Sequence, residues 1–135
     1  MAFEIVEHTA DVGVRASAPT IESLFEETTR GLLEITGSLV PGVGEWVEFE
    51  VESRDLAGAL VDWLGEALYL QDSRDAVVTD IRVESVDGGR ARGALSLAPR
   101  NDADLEGTAV KAITYHQLEV EETGDGWRSQ VFVDV

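Results

Sequence analysis

The chain has no cysteine, which excludes disulfide scaffolds, thiolate zinc sites and cysteine nucleophiles together. It has one lysine, Lys111, beside nine arginines, although lysine is normally among the commonest residues. Basic residues are too sparse for a nucleic-acid footprint, which is built from lysines and arginines that displace counterions from phosphates. The densest basic grouping is Arg90 with Arg92. No window approaches the 18 apolar residues of a membrane span. The opening "MAFEIVEHTADVGV" has no basic segment followed by an apolar run, so the expectation is a soluble, cytoplasmic protein with no membrane association.

What is present fits one ordinary domain over residues 1–135: the length and a 44% hydrophobic content suffice for a single core without staples. The net charge of −17 dominates the surface. Either that surface meets a basic partner, or it is general adaptation, the acid-rich, lysine-poor composition of a protein from a salt-loving cell. In the second case long-range steering is weak, because the Debye length is only about 3 Å at 1 M salt.

Hydrophobic spacing predicts strands at 2–7 and 12–18, with Val12, Val14 and Ala16 on one face, joined by "HTAD". Thr20 is placed to cap a helix whose inner face carries Ile21, Leu24, Phe25, Leu32 and Ile35, and Gly37 to stop it. "WVEFEVE" alternates as a strand. A second helix, capped by Ser53, presents Leu56, Leu60, Trp63, Leu64, Ala67 and Leu68 on one face. Strands follow at about 76–86, 90–98, 109–121 and 127–134, separated by glycine-bearing turns and by "PRNDADLEG". The order β-β-α-β-α-β-β-β-β has too few βαβ units for a doubly wound fold. It predicts the α+β class, with two helices packed on a mixed, mostly antiparallel sheet.

Common chemical templates fail. "PGVGEWV" lacks the third glycine of a dinucleotide loop and precedes a strand instead of a helix. "DADLEG" matches the first half of a calcium loop, but Ile113 stands where the bidentate glutamate belongs; the loop reads as a solvated acidic turn. His8 and His116 are each a structural hydrogen-bonder or a general base, and neither has a nucleophile in a recognisable motif. Asp134 is followed directly by Val135, and with the α-carboxylate beyond it and a third carboxylate such as Asp11 it would suit an ion that collects hard oxygens, Ca²⁺, Mg²⁺ or Mn²⁺. The alternative is a frayed, solvated terminus.

The pieces "HTADVGVRASAPTIESLFEETTRGLLEI", "LVDWLGEALYLQD", "VKAITYHQLEV" and "VFVDV" together resemble the archease family over essentially the whole chain. The resemblance implies an accessory protein of tRNA splicing and RNA repair, not itself a catalyst. Its partner would be an RtcB-type RNA ligase, whose guanylylation and multiple turnover it promotes, and RNA would be met only through that ligase. The family's metal ligands map onto Asp11, Asp134 and Val135, with calcium the first expectation and magnesium or manganese the alternatives. The family's functional lysine maps onto Lys111, expected near this acidic centre in contact with the ligase, with guanine-nucleotide phosphates or with a carboxylate. His8, Thr9 and His116 are candidates to support the ligands by hydrogen bonding. Three carboxylates without a cation would repel one another, so an ion is their natural neutraliser. Competing expectations are a chaperone or modulator of a tRNA-modifying methyltransferase and a stand-alone metal hydrolase with His116 as base.

Overall fold

The computed structural model describes residues 1–7, 11–101 and 107–135. His8, Thr9 and most of the acidic turn "DADLEG" lie outside the described residues.

The chain order is β1 (Ala2–Glu7), β2 (Asp11–Ala18), α1 (Ile21–Thr36), β3 (Glu45–Glu52), α2 (Leu56–Arg74), β4 (Ala76–Asp87), β5 (Arg90–Pro99), β6 (Ala112–Thr123) and β7 (Gly126–Asp134). This is the α+β order that the hydrophobic spacing predicts. The strands divide between two sheets, β1-β2-β7-β6 and β3-β5-β4, and every strand pairing within them is antiparallel. Element order does not fix that division. It follows from which edges meet, and the last strand inserts between β2 and β6.

The ends of α1 are set locally. Thr20 and Ser23 form a reciprocal capping pair, each backbone N–H donating to the other's hydroxyl at 3.1 Å. Gly37 ends the helix in the left-handed region at φ 67°. Its inner face buries Leu24, Phe25, Leu32 and Leu33 completely. Gly31 lets the helix settle on β2: a Cβ there would stand 2.4 Å from Val14 Cγ1.

For α2 the cap is Asp55 and not Ser53, since the Gly58 N–H donates to Asp55 Oδ1 at 2.7 Å. A carboxylate one residue before the helix takes the orphan donor and complements the positive helix end. The buried face is the one expected, Leu60, Trp63, Leu64 and Ala67. Trp63 is the anchor between helices and sheet. Its indole N–H donates to Thr29 Oγ1 at 3.0 Å, and its ring stacks on Phe49 at 4.2 Å. Helix α1 packs on β2 and β4, and α2 on β5 and β6, so each helix bridges both sheets.

Strand β3 is one edge of its sheet. Val47, Phe49 and Val51 face the core, while Glu48, Glu50 and Glu52 alternate with them. A charged edge of this kind resists pairing with other chains. Arg90 lies against Glu50 and Glu52, and Arg82 lies against Glu84 and over the Trp46 ring.

Candidate functional site

The site grows from the register of the central strand β7. Antiparallel pairing with β2 sets Asp11 directly opposite Asp134, Gly13 opposite Phe132 and Arg15 opposite Gln130. Because side chains alternate along a strand, these three pairs share one face of the sheet. Val14, Val131 and Val133 point to the other face and are fully buried in the core. Directly opposed residues hold their Cβ atoms about 4.5–5.5 Å apart, and like charges so placed repel. The fold therefore spends stability to bring Asp11 and Asp134 together.

Beyond Asp134, the Val135 side chain packs against the main core cluster. The end of β7 is thus held by packing on one face and by pairing on both edges, which is the opposite of a frayed terminus. On the far edge, Ala112 of β6 stands opposite Asp134, and the Lys111 N–H donates to the Asp134 main-chain oxygen at 2.8 Å. On that edge Ala112 sets only a methyl group beside Asp134.

Lys111 is a main-chain neighbour of Asp134, but it also lines a groove on the α2 side of the sheet, together with Glu52, Asp62, Gly65 and Glu66. Among the described residues, seven of the nine arginines, Arg15, Arg30, Arg82, Arg90, Arg92, Arg100 and Arg128, form ion pairs. Lys111 takes part in no ion pair among the described residues and its residue is exposed. The chain's single ammonium is therefore free of a carboxylate partner among those residues, with carboxylates around the groove it lines.

Hydrophobic spacing missed a large bulge in β6. Between Thr114, opposite Phe132, and Glu119, opposite Gln130, β6 has four residues while β7 has only Val131. Three extra residues, Tyr115, His116 and Gln117, fit this excess. Gln117 has φ 52°, a left-handed conformation costing an L residue roughly 1–2 kcal/mol. Tyr115 and His116 are exposed, and the His116 ring is tilted against Phe132 at 6.2 Å between centroids. The His116 backbone N–H donates to Thr114 Oγ1 at 3.3 Å. The signal was present in the sequence as a change of phase. Ile113 faces the core from an odd position, whereas Leu118 and Val120 face it from even ones. An odd number of inserted residues is what reverses the alternation.

Phe132 is buried, although its strand neighbours Gln130 and Asp134 on the same face are polar. Gly13 makes this possible, because a Cβ at that position would stand 2.7 Å from the Phe132 ring.

Among the described residues, no group of three His, Cys, Asp or Glu side chains is close enough to hold a metal ion. Asp11 and Asp134 supply two side-chain carboxylates, and among the described residues a main-chain oxygen such as that of Val135 is the candidate for a further ligand. All of these are hard oxygens, suited to calcium, magnesium or manganese and unsuited to zinc or copper. Among the described residues, no helix is long and apolar enough to cross a membrane.

The fold and site define a small α+β protein whose second and last strands, β2 and β7, join two carboxylates at one sheet end. The family model described as "Archease protein family (MTH1598/TM1083)" matches residues 3–135. The archease of Methanosarcina mazei is 36% identical over 98% of this chain and 95% of its own length. That of Pyrococcus furiosus is 35% identical over 98% of each. Among solved structures, an archease of Thermotoga maritima described as a possible chaperone superposes with a TM-score of 0.67 at 29% identity, covering 96% of this chain and 94% of its own. Protein 1598 of Methanobacterium thermoautotrophicum shares the fold with a TM-score of 0.82 at 24% identity, over 98% of each chain. The chain belongs to the archease family.

Proposed function

We propose that this archease-family chain is a non-catalytic accessory factor of an RtcB-type RNA ligase in tRNA splicing and RNA repair, promoting guanylylation of the ligase and its repeated turnover. The observation that carries the reading is the pairing of Asp11 with Asp134 across β2 and β7, an arrangement that costs electrostatic energy unless a cation or a cationic partner group offsets it.

In this reading Asp11, Asp134 and a main-chain oxygen of Val135 hold one divalent ion, calcium first, with magnesium or manganese as alternatives. The ion would neutralise the two carboxylates and hold the ends of β2 and β7 around one centre. Lys111 contacts the ligase or the phosphates of its guanine nucleotide; its backbone bond to Asp134 keeps it at the same sheet end. In the same reading His116, exposed on the bulge, meets the partner or supports the ligands and acts as no catalytic base. His8 and Thr9 precede Asp11 in the chain and remain candidates to support its carboxylate. RNA is met through the ligase, consistent with the acidic surface, and the complex works in the cytoplasm.

The deciding experiment is guanylylation of the cognate ligase, with GTP and metal, in the presence and absence of this protein. The expected result is faster guanylylation and multiple turnover; an unchanged rate would remove the proposal. A second reading, a chaperone or modulator of a tRNA-modifying methyltransferase, draws support from the description of the Thermotoga relative as a possible chaperone. Co-purification separates the two, since the first retains the ligase and the second a methyltransferase.

A further inference from the structure

We infer that the β6 bulge is a register-setting device and that Gln130 is the positioning residue that clasps it. This rests on the proposed role of Lys111 and Asp134. If β6 continued without interruption from Glu119 opposite Gln130, Tyr115 would stand opposite Asp134. Lys111 would then lie three residues further along, about 10 Å beyond its present position at about 3.3 Å per residue. The bulge takes up those three residues. It puts the methyl group of Ala112 beside the Asp134 carboxylate instead of a tyrosine ring, and brings the Lys111 N–H to the Asp134 oxygen.

Gln130 holds the bulge in place. It is buried, and its Nε2 donates to the Gln117 main-chain oxygen at 2.9 Å, at the left-handed residue itself. Its Oε1 accepts from Arg15 Nε at 2.8 Å. Arginine can only donate, so this bond fixes which end of the amide faces Arg15 and leaves the NH₂ for Gln117. Arg15 is itself steadied by Glu4 at 3.3 Å. The chain of contacts thus runs from β1 through β2 and β7 to the bulge, and Gln130 is its link to β6. Bulges near sites re-aim side chains in this way, and a strained non-glycine residue persists only where its surroundings hold it.

The test uses the single lysine as its probe. Protein labelled with ¹⁵N-lysine gives one backbone amide signal, that of Lys111. In the wild type this amide is expected to be protected from hydrogen exchange by its bond to Asp134. Gln130→Leu removes both side-chain bonds and should speed exchange about tenfold or more, with a parallel loss of ligase stimulation. Deleting residues 115–117 removes the bulge while keeping Ala112 opposite Asp134. The same deletion in the Gln130→Leu background should therefore restore Lys111 protection. Unchanged Lys111 exchange in Gln130→Leu, or no recovery of protection in a folded deletion variant, would overturn the inference. If the deletion variant fails to fold, the Gln130→Leu measurement alone decides. Failure of the wild-type protein to stimulate the ligase would count against the proposed function, and the exchange measurement would still judge the register.

Discussion

Asp11, at the start of β2, and Asp134, at the end of β7, stand directly opposite each other on neighbouring antiparallel strands. Residues from the two ends of the chain thereby place two like charges on one face, beside a residue, Ala112, too small to screen them. Two carboxylates so placed are a cost in isolation and an asset for cation binding.

Replacing Asp134 with Asn should therefore separate stability from function. The fold should melt at the same temperature or slightly higher without added cation, since removing a facing like charge relieves about 0.2–1 kcal/mol. Calcium titrated calorimetrically should raise the melting temperature of the wild type and not of the variant. Equal calcium responses would remove Asp134 from the ligand set.

Lys111→Arg keeps the charge but replaces a compact ammonium with a planar fork. The exposed position tolerates the change, so thermal unfolding should be unaltered while ligase stimulation falls. Full stimulation would reduce Lys111 to a surface residue.

Trp63 ties α2 to α1 through Thr29 and to β3 through Phe49. Trp63→Ala should cost about 3–5 kcal/mol, read as a lowered urea midpoint. Trp63→Phe keeps a ring but leaves Thr29 without the indole donor, and should fall between the two.

The close fit of Gly13 and Phe132 predicts a coupling. Gly13→Ala drives a methyl group into the ring and should destabilise by about 1–3 kcal/mol. Combined with Phe132→Leu the loss should be smaller than the sum of the two single changes. Simple additivity would show that the ring moves aside without cost.

Salt should raise stability. A net charge of −17 repels itself, and screening at molar KCl shortens the range to about 3 Å. The melting temperature should climb between low and molar KCl. A flat or falling curve would mean that the ion pairs of the arginines outweigh the general repulsion.

The sequence by itself determined the local structure. The caps at Thr20 and Gly37, the apolar faces of both helices and the alternation of β3 depend on residues within a few positions of one another, so spacing alone reveals them. It also carried the motifs that resemble the archease family. It misplaced the α2 cap by two residues, because Ser53 and Asp55 are both capping types and only backbone geometry chooses between them. The phase change from Ile113 to Leu118 was in the sequence too, but a bulge becomes visible only against a partner strand. Tertiary structure alone decided that the strands form two sheets, that β7 enters between β2 and β6, and that Asp11 meets Asp134. It also decided that the one lysine lies bonded at its backbone to that aspartate while lining a groove on the α2 side. Those are pairings between residues far apart in the chain, set by which edges bury the most apolar surface together, and no local period encodes them.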